Sequence, residues 1–178
     1  SVKAGQIIGK NPDAVSSPVH SSVTGTVTEI AKLTVGKREM QGVVIEKESG
    51  FELVPDAVHK LNGFDRDWKR LQADRVAELI YLSGAASLDS SGIPTQYGSS
   101  SVGADEVKQV IVKAVADDLL SVSPSVLLNG DNMGKFVEGC GMIKKALPKA
   151  ELTVAVSKNE KNLIKSLSAA LGSESRIS

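Results

Sequence analysis

The sequence predicts an α+β chain, with a β-rich front over residues 1–54 and an α/β half over residues 55–178. Three observations carry that prediction. Val23, Gly25 and Val27 alternate with Thr24, Thr26 and Thr28, and a period of two places one face of a strand in a core. Beyond residue 105, short apolar runs alternate with segments of helical spacing; strand, helix, strand, helix implies a parallel sheet. Between these halves, residues 83–103 are mostly small and polar.

The elements follow in order. Val2-Lys-Ala-Gly-Gln-Ile-Ile-Gly9 reads as a turn leading into a short strand, with Ile7 and Ile8 as core candidates. Asn11-Pro12-Asp13 is turn chemistry, because Pro presets φ and Asn and Asp bond nearby amides. A strand over Val23–Ile30 follows, then a basic loop over Gly36–Gly42, then a strand over Val43–Lys47. A proline-led entry at Ser17-Pro18, a glycine-marked strand and a lone Val43-Val44-Ile45-Glu46 run resemble a small barrel-sandwich module of the lipoyl or biotinyl type.

Pro55–Leu61 reads as an extended exit or one helical turn. From Arg66 on, Trp68, Leu71, Val76, Leu79, Ile80 and Leu82 sit near helical spacing, clearest over Asp74–Leu82 with Asp74 as N-cap. Pro94 blocks a helix in the 83–103 stretch, and a loop of about 20 residues in a compact domain is usually functional or disordered. Val107–Val115 reads as a buried strand and Leu152–Ser157 as a second strand, with helices over Asn132–Ala146 and Glu160–Leu171.

Composition narrows the function classes. Twenty-one basic residues balance 21 acidic ones, so the chain has no electrostatic footprint for a polyanion. Aromatic residues make up only 3%, too few for a base-stacking surface, and a nucleic-acid partner is not expected. One cysteine, Cys140, provides neither an internal disulfide nor an iron–sulfur or zinc site. His20 and His59 suggest no metal site. No apolar run approaches the roughly 20 residues that span a bilayer, so direct membrane insertion is not expected. Ser1-Val-Lys-Ala-Gly5 reads as no signal peptide, and the absent initiator Met predicts a piece of something longer.

The candidate cofactor-binding residues are Gly84, Gly92, Thr95, Asp117 and Asp118; no catalytic residue and no metal ligand is nominated. Glycines let backbone amides approach an anion, although the spread from Gly84 to Gly98 matches neither common phosphate-binding pattern. Asp117 and Asp118 follow a predicted strand, where α/β folds place ligands; a solvated connection is the competing reading. Cys140, between Gly139 and Gly141, reads as a small buried hydrophobe. His20 reads as a turn residue with its ring on backbone. Lys37-Arg38 reads as a hairpin-tip pair, without the tripeptide that marks a lipoyl or biotin acceptor lysine.

Taken in order, Val2-Lys-Ala-Gly-Gln-Ile-Ile8, Ser17–Ile30 and Lys37–Glu46 resemble the N-terminal region of the RnfC/NqrA family, subunits of ion-translocating electron-transport complexes. Ala116–Leu128 and Phe136–Ile143 resemble that family's next domain, a relative of the flavin-binding subunit of respiratory complex I. The resemblance runs over nearly the whole chain. It implies a barrel-sandwich module over 1–54, a Rossmann-like α/β domain over 55–178, and FMN or NADH as the cofactors to consider.

The departures matter equally. The RnfC loop G-x-G-G-A-x-F-P-T aligns with Ser83–Ser87 and Gly92-Ile93-Pro94-Thr95: the closing Pro-Thr remains, the compact glycine run does not. The motif N-G-A-E-C-E-P aligns with Lys113–Leu119, which keeps acidic residues at Asp117 and Asp118 without the Asn and Cys. The implied function is therefore a subunit, or the N-terminal piece of one, in an NADH-linked, ion-translocating electron-transport complex with a degenerate flavin or nucleotide site. If enzymatic, it belongs to an NADH:acceptor oxidoreductase. Its partners are the other subunits, and its implied place is cytoplasmic, peripheral to the inner membrane. The alternatives are a scaffold that kept the fold without the cofactor, and a lipoyl- or biotinyl-type carrier.

Overall fold

A computed structural model describes residues 1–10, 17–48, 67–86, 106–116, 121–172 and 176–177. The chain divides into two compact units. The first comprises Ser1–Arg66 with Leu79–Gln96, the second Asp67–Glu78 with Tyr97–Ser178.

In the first unit the opening turn closes where glycine permits it. Gly5 has φ +80°, and Gln6 N–H donates to Lys3 O at 2.9 Å. Strand β1 (Ile7–Gly9) then pairs antiparallel with β2 (Val19–His20). Val2 and Gly25 exchange backbone hydrogen bonds of 2.7 and 3.0 Å. The hydroxyl of Ser21, a buried polar residue, donates to Val23 O at 2.6 Å, which satisfies a group that burial would otherwise penalise.

The main feature of this unit is the antiparallel hairpin of β3 (Gly25–Val35) and β4 (Arg38–Lys47). It is longer than the sequence predicts. The expected loop over Gly36–Gly42 is a turn of only Gly36 and Lys37, and Arg38–Gly42 pairs with Ala31–Val35. The tight turn works because Gly36 takes φ +64°, a left-handed conformation that two-residue hairpin loops need. A bulge falls between Val27 and Glu29.

The prediction that one face of the Val23–Ile30 strand lies in a core is corrected. Gly25 is buried, but Val27 is exposed and Ile30 is 68% exposed. Farther out, Leu33 and Met40 face each other across the ladder and are also exposed. Alternation reports a face that can be buried; the two-stranded sheet β3–β4 leaves these residues uncovered.

The second unit begins with a single 3₁₀ turn, Trp68–Arg70, capped by Asp67, whose carboxylate accepts from Lys69 N–H. Leu71 is extended, so Trp68 and Leu71 are not on the predicted helix. That helix is α1 (Ala73–Leu82), which buries Val76 and Leu79. Asp74 lies within its first turn rather than at its cap, and its carboxylate accepts from Arg75 N–H at 2.8 Å. The boundary between the units falls inside α1, between Glu78 and Leu79.

The rest of the second unit follows the predicted alternation. Strand β5 (Gln109–Ala114) leads through a short helix α2 (Pro124–Leu127) and α3 (Asp131–Ala146) to β6 (Glu151–Val156). Helix α4 (Lys161–Leu171) then leads to β7 (Arg176–Ile177). The three strands form a parallel sheet in the order β5-β6-β7. Central β6 buries Leu152, Thr153, Val154 and Val156, so both its faces are covered, as parallel strands require. Cys140 from α3 and Leu163 and Leu167 from α4 complete the core.

Among the described residues, no helix is long and apolar enough to cross a membrane.

Candidate functional site

Of the five candidate cofactor-binding residues, the structure describes Gly84 alone. Gly92, Thr95, Asp117 and Asp118 lie outside the described residues, as does His59.

Gly84 ends α1 in a left-handed conformation, φ +71°, which glycine adopts at no steric cost. Its N–H donates to Tyr81 O at 3.0 Å, and the preceding amide, of Ser83, donates to Leu79 O at 2.9 Å. The Ala85 amide lies 3.3 Å from the Ser83 hydroxyl. Three consecutive amides are thus engaged in closing the helix. The site is also crowded: a Cβ on Gly84 would lie 2.8 Å from His20 Cε1 and 2.9 Å from Pro18 O.

His20 belongs to β2, not to a turn. Its ring does bond to backbone, with Nε2–H donating to Leu82 O at 2.9 Å. That carbonyl is one of the orphans at the end of α1, so His20 fastens the helix end to the β module of its own unit. Sequence spacing could not show this, because the partners are 62 residues apart.

In a parallel α/β sheet, ligands bind beyond the C-terminal ends of the strands, where the following helices present their N-termini. Beyond the single-turn α2, those are the starts of α3 and α4. Gly130, with φ +57°, stands at the N-cap of α3, and Asp131 occupies its first turn. Glu160 stands at the N-cap of α4. Its carboxylate accepts hydrogen bonds from Ser123 at 2.9 Å and Ser125 at 3.5 Å, and Ser123 in turn caps α2. Each helix start therefore carries its own carboxylate where a phosphate would need positive potential. Among the described strands, the order β5-β6-β7 also contains no reversal of the kind that opens a binding crevice.

A different concavity lies at the opposite end of α3. Trp68, Val137, Cys140, Gly141, Pro148 and Leu171 line a cleft of about 450 Å³, with Lys69, Lys144 and Lys145 around it. Cys140 is buried, as its sequence setting predicts, and burial pushes its thiol up to about 11. A thiol held that far above neutrality stays protonated and packs as an apolar group. Sequence spacing places Trp68 on a helix face and gives no direct sign of this cleft. Its one readable signal was Gly141 at helical spacing from Val137 and Lys145.

Residues 1–50 match the family model described as the RnfC barrel sandwich hybrid domain. This segment is similar to the N-terminal region of RnfC-type subunits. The match coincides with the turn, the β1–β2 pair and the β3–β4 hairpin, and it agrees with the motifs from Val2 to Glu46 on which the resemblance rests. No curated protein matches the chain significantly. The barrel sandwich hybrid fold thus holds for the RnfC-type region, and the remainder is mixed helix and strand.

Proposed function

We propose that the chain is part of a subunit of an Rnf-type, ion-translocating electron-transport complex, in which its RnfC-type region serves assembly rather than chemistry. The RnfC barrel sandwich hybrid match over residues 1–50 carries this reading. The exposed apolar residues of the hairpin support it. Leu33, Val35 and Met40 share one face of the hairpin and Ile30 and Val43 the other, and exposed apolar residues gathered in this way mark protein contact sites. A neighbouring subunit is the occupant that fits, with this chain on the cytoplasmic side of the complex, peripheral to the inner membrane.

The α/β half carries a degenerate flavin or nucleotide site in this reading. The compact glycine run of the family loop is absent from 83–95, and the Gly84 amide is spent on Tyr81 O. Asp131 and Glu160 oppose a phosphate at the two helix starts. FMN therefore binds weakly or not at all, and electron transfer through the assembled complex uses cofactors held elsewhere. Gly92, Thr95, Asp117 and Asp118 remain the residues through which a residual nucleotide contact would act.

The test is purification of the tagged chain from cells expressing the other subunits of an Rnf-type complex. The reading predicts co-purification of those subunits, and no visible flavin absorbance from this chain when it is purified alone. Stoichiometric flavin in the isolated chain would overturn the degenerate-site reading. Failure to co-purify would overturn complex membership.

A further inference from the structure

We propose that the Trp68–Cys140 cleft is a binding site for a small anionic ligand with a flat apolar body. The sequence builds its floor from one face of α3. Val137, Cys140, Gly141 and Lys144 recur at spacings of three and four, which stacks them along the helix. Leu171 at the end of α4 and Pro148 beyond α3 close the sides.

The wall is Trp68, and two features fix it. Its indole N–H donates to Glu138 Oε1 at 2.9 Å. Its ring edge also occupies the space that a side chain at Gly141 would fill, since a Cβ there would lie 2.8 Å from Trp68 Cη2. A fixed aromatic wall beside an apolar floor offers a flat apolar ligand contact without the entropy cost of ordering a mobile side chain.

The charges select the ligand's sign. Lys69 Nζ lies 5.8 Å from the Trp68 ring centroid, and Lys145 flanks the same cleft. Lys144 contributes its stem, while its ammonium group donates to Ala150 O and Pro148 O, just past α3. That placement offsets the negative end of the helix dipole, which would otherwise repel an anion. No Asp or Glu lines the cleft among the described residues. The nearby Glu138 is held by the indole. A volume of about 450 Å³ suits a ligand of two or three fused or linked rings.

The test uses 8-anilinonaphthalene-1-sulfonate, with neutral N-phenyl-1-naphthylamine as comparator, on the full chain. Trp68 is the single tryptophan, so its emission reports this cleft alone. The sulfonate should quench it saturably at one equivalent, and the neutral dye should bind at least about tenfold more weakly. A Lys69→Gln/Lys145→Gln variant should weaken sulfonate binding about tenfold, as two solvent-screened charge contacts allow, and leave the neutral dye unchanged. Bound sulfonate should also slow alkylation of Cys140, the single cysteine. Unchanged Trp68 emission, equal binding of both dyes, or a folded double variant that binds the sulfonate normally would overturn the proposal. If the double variant does not fold, the two-dye comparison on the unaltered chain decides.

Discussion

At the residue scale, Gly84 and His20 form one structural unit. Gly84→Ala puts a Cβ into a left-handed backbone and against the His20 ring, so it should destabilise the fold by about 2 kcal/mol. His20→Ala removes one bond to Leu82 O and should cost about 1 kcal/mol. The two sites touch, so the double variant should cost less than the sum in urea unfolding. Strict additivity would mean that the ring and the glycine do not share a site.

Cys140 gives a pH signature. Its folded thiol titrates near 11, above an unfolded cysteine at about 8.5. Because the folded value is raised, the stabilisation is fully present below about pH 8.5 and is lost as pH rises toward 11. The loss should be on the order of 2 kcal/mol. Cys140→Ala should flatten this alkaline limb; an unchanged limb would assign it to other groups. At pH 8, alkylation of native Cys140 should be far slower than in denaturant.

At the element scale, two hairpin glycines should behave differently. A Cβ on Gly25 would lie 2.2 Å from the backbone oxygen of Glu46, so Gly25→Ala must part the strands and should cost about 2–3 kcal/mol. A Cβ on Gly42 would collide with the exposed Leu33 side chain, which can rotate away, and would lie in ordinary contact with Ala31 O at 3.9 Å. Gly42→Ala should stay within about 0.5 kcal/mol of the parent, as measured by thermal or urea unfolding.

The elements also show what the sequence can and cannot carry. Helix α3 and strands β5 and β6 were legible from apolar spacing, and each lies within two residues of its predicted bounds at both ends; the expected burial of β5 is corrected, since it buries Ala114 but leaves Ile111 63% exposed. The hairpin was read too short because Arg38, Glu39 and Gln41 look like loop residues. They are strand residues with exposed side chains, and solvent-facing strands impose no hydrophobic alternation. The 3₁₀ turn at Trp68 was read as helix because Trp68 and Leu71 happen to fall at a spacing of three.

For the whole molecule, order along the chain carried more than any single motif. The matched N-terminal region was legible in Val2–Glu46, since the glycines and the paired β runs are dictated by backbone geometry. The candidate site was less legible. Gly84 looked like a phosphate-loop glycine, because a left-handed helix end and an anion-binding loop both call for glycine. The destination of its amide, Tyr81 O, is what the sequence does not carry.

The exposed hairpin then becomes the part of the molecule on which the functional account turns. Leu33→Lys/Met40→Lys replaces an exposed apolar pair without touching the buried core, so the isolated chain should keep its unfolding midpoint. The most direct measurement is co-purification of the other Rnf-type subunits with the tagged chain, unaltered and carrying this pair of substitutions. Stoichiometric recovery is expected with the unaltered chain and at least a tenfold loss with the variant. Recovery of the unaltered chain alone, from cells in which those subunits are abundant, would contradict it.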